Sequence, residues 1–154
     1  MGTYDVDKLM TEARRLAADY HKATGQTLPL TNEIARHDAM RLLNLVAPEQ
    51  LIAGVDAIGQ GEQRSERYQI KGRVMFAESK TRARVGQLNM DGQWTRVVLV
   101  LLNEDYQPVE LIEVTRPDIH NALQSIKPNK RGAMTVAKFK AIGRTVWQDA
   151  TQAA

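Results

Sequence analysis

Apolar residues at the start of the chain recur at helical spacing. Val6, Leu9, Met10, Ala13, Leu16, Ala17 and Tyr20 follow a three-four rhythm that gathers them into one stripe, predicting a helix over Asp5 to Thr24. Asp5 and Asp7 suit its positive end and Gly25 stops it. A second helix is predicted from Asn32 to Leu45, with Thr31 as N-cap and Pro48 beyond its end. The period then shortens to two. Val55, Ala57 and Ile58 make one short strand, and in a second Tyr68, Ile70 and Gly72 alternate with Gln69, Lys71 and Arg73. Val74 to Gln93 shows no period and reads as a long loop. Trp94 to Asn103 is almost continuously apolar, which predicts a central strand covered on both faces. Pro108 to Thr115 reads as another strand, with Glu110 and Glu113 on a wet face. Arg116 to Ser125 is a short helix with Pro117 in its first turn, and Thr135 caps a last helix carrying Val136, Phe139, Ile142, Val146 and Trp147 on one stripe.

This order of elements predicts one α/β domain over 1–154, with a mixed central sheet flanked by helices. The parts are N-terminal helices in 1–48, a core sheet in 49–115 and basic C-terminal helices in 116–154.

The two short strands carry the candidate chemistry. Gly59-Gln60-Gly61-Glu62-Gln63-Arg64-Ser65 between them is turn-like. Antiparallel pairing about a centre near Glu62 sets residue 56 opposite residue 68 or 69, so Asp56 falls beside Gln69. Gln69 and Lys71 share a strand face because side chains alternate. A carboxylate, a neutral oxygen donor and an ammonium are thereby gathered, a set suited to holding a hard cation and steering water at a phosphate.

Composition narrows the field. The chain is 43% hydrophobic and 25% charged, ordinary for a folded domain, and has no cysteine, which removes disulfides, zinc-thiolate sites and thiol nucleophiles. The net charge of +3 alone favours no partner, but its distribution does. Lys127, Lys130, Arg131, Lys138, Lys140 and Arg144 occupy a stretch without a single acid, and Arg64, Arg67, Lys71, Arg73, Lys80, Arg82 and Arg84 face only Glu66 and Glu78. Both stretches suit a polyanion. Arg73, Lys80, Arg82 and Arg84 are read as a DNA-contacting flap, and Lys130, Arg131, Lys138, Lys140 and Arg144 as further phosphate contacts. The N-terminus lacks a signal-peptide pattern and no run is long enough to span a membrane, so a cytoplasmic setting is expected. His21, His37 and His120 stand apart from one another, and there is no Walker A, GxSxG or GxGxxG motif, so no small-molecule cofactor is expected.

Asp56, twelve intervening residues and then Gln69-Ile70-Lys71, set in GVDAIG and YQIKGR, resemble the PD-(D/E)XK nuclease superfamily in its D…QXK variant. The resemblance implies a restriction-endonuclease-like α/β/α core and a Mg²⁺-dependent deoxyribonuclease, with Mn²⁺ able to substitute. It implies that Asp56 binds the ion, with Gln69, the Ile70 carbonyl and a glutamate from the preceding helix. Glu33 stands where that acid belongs, although by itself it reads equally as a helix-dipole acid. Catalytic roles would fall to Glu33, Asp56, Gln69 and Lys71. A lysine of ordinary pKa is a poor base at neutral pH, so water orientation and charge stabilisation are the preferred roles of Lys71. Glutamine in place of the acid removes one negative charge from the cage and predicts weaker Mg²⁺ binding. DNA is the expected partner, and cleavage of both strands is simplest for a homodimer. Two other readings stand beside this one: a DNA-binding domain without catalysis, and a protein-interaction module in which Asp56 and Lys71 form a structural ion pair.

Overall fold

In the computed structural model, residues 5–77, 83–125 and 134–152 are described, and every structural statement concerns those residues. They form α1 (Val6–Thr24), α2 (Thr31–Leu42), β1 (Ala57–Ile58), β2 (Arg67–Val74), β3 (Arg84–Val85), β4 (Arg96–Leu102), β5 (Pro108–Thr115), α3 (Arg116–Gln124), β6 (Met134–Thr135), α4 (Val136–Ile142) and β7 (Arg144–Gln148). The sheet runs β1-β2-β4-β5-β7, and β3 and β6 pair as a separate ribbon. Only the β2–β4 pairing is parallel, so the sheet is mixed.

The apolar β4 run is covered on both faces. Val98, Val100 and Leu102 join Ala17 and Ala18 of α1 and Ile34, Ala35 and Ala39 of α2. Val97, Leu99 and Leu101 join Ile119 and Ala122 of α3 and Val136 and Phe139 of α4. Each large side chain so buried contributes roughly 1.5–3 kcal/mol, enough for this strand to organise both layers. The domain is therefore mixed α/β with helices on both sheet faces. No described helix is long and apolar enough to cross a membrane.

Local chemistry fixes the helix ends. The Asp5 carboxylate accepts from the backbone N–H groups of Asp7 and Lys8, Thr115 accepts from Asp118, and Thr135 accepts from Lys138. α2 begins one residue earlier than expected, with Thr31 inside the helix and Leu30 as a cap that makes no side-chain bond. Its position is set by tertiary contacts instead. Asp38, fully buried, takes a two-pronged hydrogen bond from Arg14 of α1 at 2.8 Å on each oxygen, and Arg14 also donates to the Tyr106 carbonyl at 2.6 Å. Against the sheet, α2 comes so close to β2 at Gly72 that a Cβ there would stand 2.6 Å from the Ala35 Cβ. Glycine permits that approach, which carries the first turn of α2 to the edge of β2.

Three sequence expectations are corrected. The last helix stops at Ile142, and after Gly143 the residues RTVWQ form β7 along the open edge of β5. β-branched and aromatic residues beside an unpaired strand make the ladder the better outcome. Second, Glu110 and Glu113 are not a wet face. β5 lies inside the sheet and both acids are 7% exposed, Glu110 paired with Lys140 at 3.0 Å and Glu113 with Arg96 and, at 3.7 Å, Arg144. Third, the described part of Val74 to Gln93 is not all loop: Arg84–Val85 form β3, Val85 is fully buried, and Met75, Leu88 and Met90 pack against the core beneath α3 and α4.

Candidate active site

β1 is only two residues long, and its brevity makes the site. Pairing of Ala57 with Tyr68 and of Ile58 with Arg67 extends by one to set Asp56 across from Gln69, and the Asp56 N–H donates to the Tyr68 carbonyl at 2.8 Å. Beyond that point β2 has no partner strand on this side. Two side chains take over the edge instead. Asp56 Oδ2 accepts from the Ile70 N–H at 2.8 Å, and Asn32 Oδ1 from the Gly72 N–H at 3.0 Å. Since the N–H and C=O of one strand residue point to the same edge, the Ile70 carbonyl is directed to this opening as well.

A cavity of about 320 Å³ occupies the opening, lined by Asn32, Glu33, Arg36, Gly54, Val55, Asp56, Gln69, Ile70 and Lys71. α2 reaches it from the Gly72 face, while Gln69 and Lys71 project from the opposite face of β2. The four residues singled out in the sequence, Glu33, Asp56, Gln69 and Lys71, and Ile70 thus line one space.

Each is held differently. Gln69 is 5% exposed and its Nε2 donates to the Gly54 carbonyl at 3.1 Å, while its Oε1 is buried without a hydrogen-bond partner. The carbonyl of Gly54 fixes this orientation, because the flipped amide would set two oxygens against each other. Lys71 is half-buried, and its side chain forms no hydrogen bond or ion pair among the described residues. It is not paired with Asp56, whose carboxylate serves the Ile70 N–H. Glu33 is exposed and accepts a hydrogen bond from Arg36, one turn along α2.

The chain matches no protein-family model and no curated protein.

A buried amide oxygen lacking a donor is costly, on the order of 1–3 kcal/mol, and a hydrogen-bond donor or a cation relieves that cost. Gln69 Oε1, the Ile70 carbonyl, Asp56 and Glu33 are all oxygen donors, the kind a hard divalent cation prefers. No three carboxylate or imidazole groups come together among the described residues, so the donor set fits such an ion through two acids supplemented by neutral oxygens.

The described ones among the predicted DNA contacts lie on β2, β3, α4 and β7. Lys80, Arg82, Lys130 and Arg131 lie outside the described residues. Arg73 is half-buried, its Nε donates to the Arg84 carbonyl, and burial lowers its pKa. Arg84 lies in β3, half-buried. Lys138 and Lys140 are exposed on α4 and Arg144 on β7, but Lys140 and Arg144 are engaged by Glu110 and Glu113. Sequence reasoning missed Asn32 and Arg36, which adjoin Glu33 in the chain and reach the site only because α2 docks at Gly72.

Proposed function

We propose that this protein is a metal-dependent DNA endonuclease with a restriction-endonuclease-like α/β/α core. The observation that carries the reading is that Asp56, Gln69, Lys71 and Glu33 line one open cavity, and that Gln69 holds a buried oxygen without a partner. Asp56, Gln69 Oε1, the Ile70 carbonyl and Glu33 would hold Mg²⁺, or Mn²⁺ in its place. When bound, the ion offsets the negative charge that grows on the phosphate during hydrolysis. Lys71 orients the attacking water and adds a second positive charge beside the phosphate. To join the set, Glu33 would exchange its bond with Arg36, whose guanidinium would then be available to the phosphate.

A catalytically weak DNA-binding domain of the same fold is the second reading, favoured by the lack of a third acid in the cavity among the described residues. Plasmid incubated with purified protein separates the two. The nuclease reading expects nicked or linear product with Mg²⁺ or Mn²⁺, none with chelator and none with Lys71→Ala. DNA binding without metal-dependent product in the wild type would favour the second reading.

A further inference from the structure

We propose that Arg116 is a positioning residue for the cation site: through the 89–94 loop and the Gly54 turn it holds the Gln69 amide in place beside the cavity. The inference rests on the proposed cation-binding role of that cavity.

The Gln69 amide is anchored through its NH₂, and the anchor is the Gly54 carbonyl. That carbonyl belongs to a turn closed by the Val55 N–H, which donates to the Ile52 carbonyl at 3.0 Å. Gly54 has φ +75° and lies against Gly92 so closely that a Cβ on Gly54 would stand 2.8 Å from the Gly92 Cα, and one on Gly92 would stand 2.9 Å from the Gly54 Cα. The Gln93 N–H donates to the Ala53 carbonyl at 2.8 Å, tying the turn to the same loop.

One side chain reaches three carbonyls of that loop. From the first residue of α3, Arg116 Nη1 donates to the carbonyls of Gly92 at 2.6 Å and Trp94 at 2.8 Å, and Nη2 donates to that of Met90. Its guanidinium lies 4.5 Å from the centre of the Trp94 ring, which is 1% exposed and donates Nε1 to the Asn89 carbonyl at 2.6 Å. A planar fork of N–H donors can span several carbonyls while stacking on an indole, and a lysine ammonium cannot. Arg116 does not border the cavity, so its influence on the site runs through Gly92, Gly54 and the Gln69 amide.

The test is the Mn²⁺ affinity of the full chain, measured by electron paramagnetic resonance of free Mn²⁺. Wild type, Arg116→Lys, Gln69→Ala and the double variant are compared at a temperature where melting curves show all of them folded. Gly92→Ala, which pushes directly on the Gly54 turn, is the second probe should Arg116→Lys not fold. Arg116→Lys is expected to weaken binding about tenfold, as loss of a supporting contact to a metal ligand does. In the Gln69→Ala background it is expected to add nothing, because the group it positions is gone. A residue that only stabilises the fold would lower the melting temperature and leave the affinity of the folded protein unchanged. The proposal is overturned if Arg116→Lys or Gly92→Ala binds Mn²⁺ like the wild type, or if the losses multiply in the double variant. Wild type that binds no Mn²⁺ would overturn the cation site itself, a distinguishable outcome.

Discussion

The Asp56 carboxylate accepts the backbone N–H of Ile70 at 2.8 Å, so one side chain both ends the hairpin and borders the cavity. Substitution separates the two roles. Asn keeps an acceptor for the Ile70 N–H and removes the charge, whereas Ala removes both. Asp56→Asn is expected to unfold in urea within about 1 kcal/mol of the wild type while binding Mn²⁺ at least about tenfold more weakly. Asp56→Ala is expected to lose a further ~1–2 kcal/mol of stability. Calorimetric titration showing unchanged Mn²⁺ binding by Asp56→Asn would remove this residue from the cation set.

Gly72 sets how near α2 stands to β2, and hence where Glu33 and Asn32 lie. A methyl group there would meet the Ala35 Cβ at 2.6 Å. Gly72→Ala is expected to cost roughly 1–3 kcal/mol as an overpacked contact. Adding Ala35→Gly makes room, so the double variant should be less destabilised than the sum of the two single changes. Denaturant titration of the four proteins measures the coupling, and strict additivity would mean the helix is not in contact at this point.

Glu66 gives the fold an acid-side dependence. The Thr95 hydroxyl donates to its Oε2 at 2.6 Å and Arg96 Nε at 2.9 Å, and these bonds, the Thr95 one foremost, hold its carboxyl below the ordinary value of 4.5. A depressed acid contributes stability that is present above the unfolded-state pKa and lost as pH falls through the folded-state pKa. Glu66→Gln should therefore be less stable than the wild type at pH 7, by roughly 1 kcal/mol for a solvent-screened pair. The gap should close as pH falls below 4.5. Thermal melts across that range check the sign, and a gap that widened in acid would contradict it.

The elements legible in the sequence are those whose signal is local. α1, α3 and the strands β4 and β5 follow from period, caps and Pro117, and the register of the short hairpin follows from counting outward from its polar turn. β7 was hidden because Val146 and Trp147 continue the three-four stripe of Phe139 and Ile142, and only the unpaired edge of β5 makes RTVWQ a strand. β3 and β6, two residues each, take their structure from a partner about fifty residues away in the chain, and no local period announces that. Glu110 and Glu113 looked solvent-facing because their cations lie on other elements. Asp56, Gln69 and Lys71 could be grouped from strand alternation alone. Asn32, Arg36 and Arg116 could not, since they come near the site through helix docking and loop packing.

The central claim is that the cavity at the β2 edge supports hydrolysis of DNA through Lys71 beside a held cation. Single-turnover cleavage of a defined duplex across a Mg²⁺ titration, with wild type and Lys71→Ala prepared identically, tests it most directly. The account predicts saturable, Mg²⁺-dependent cleavage by the wild type and a fall of at least about a hundredfold in Lys71→Ala, with DNA affinity retained. Equal cleavage by both proteins, or none by the wild type at any Mg²⁺ concentration, would contradict it.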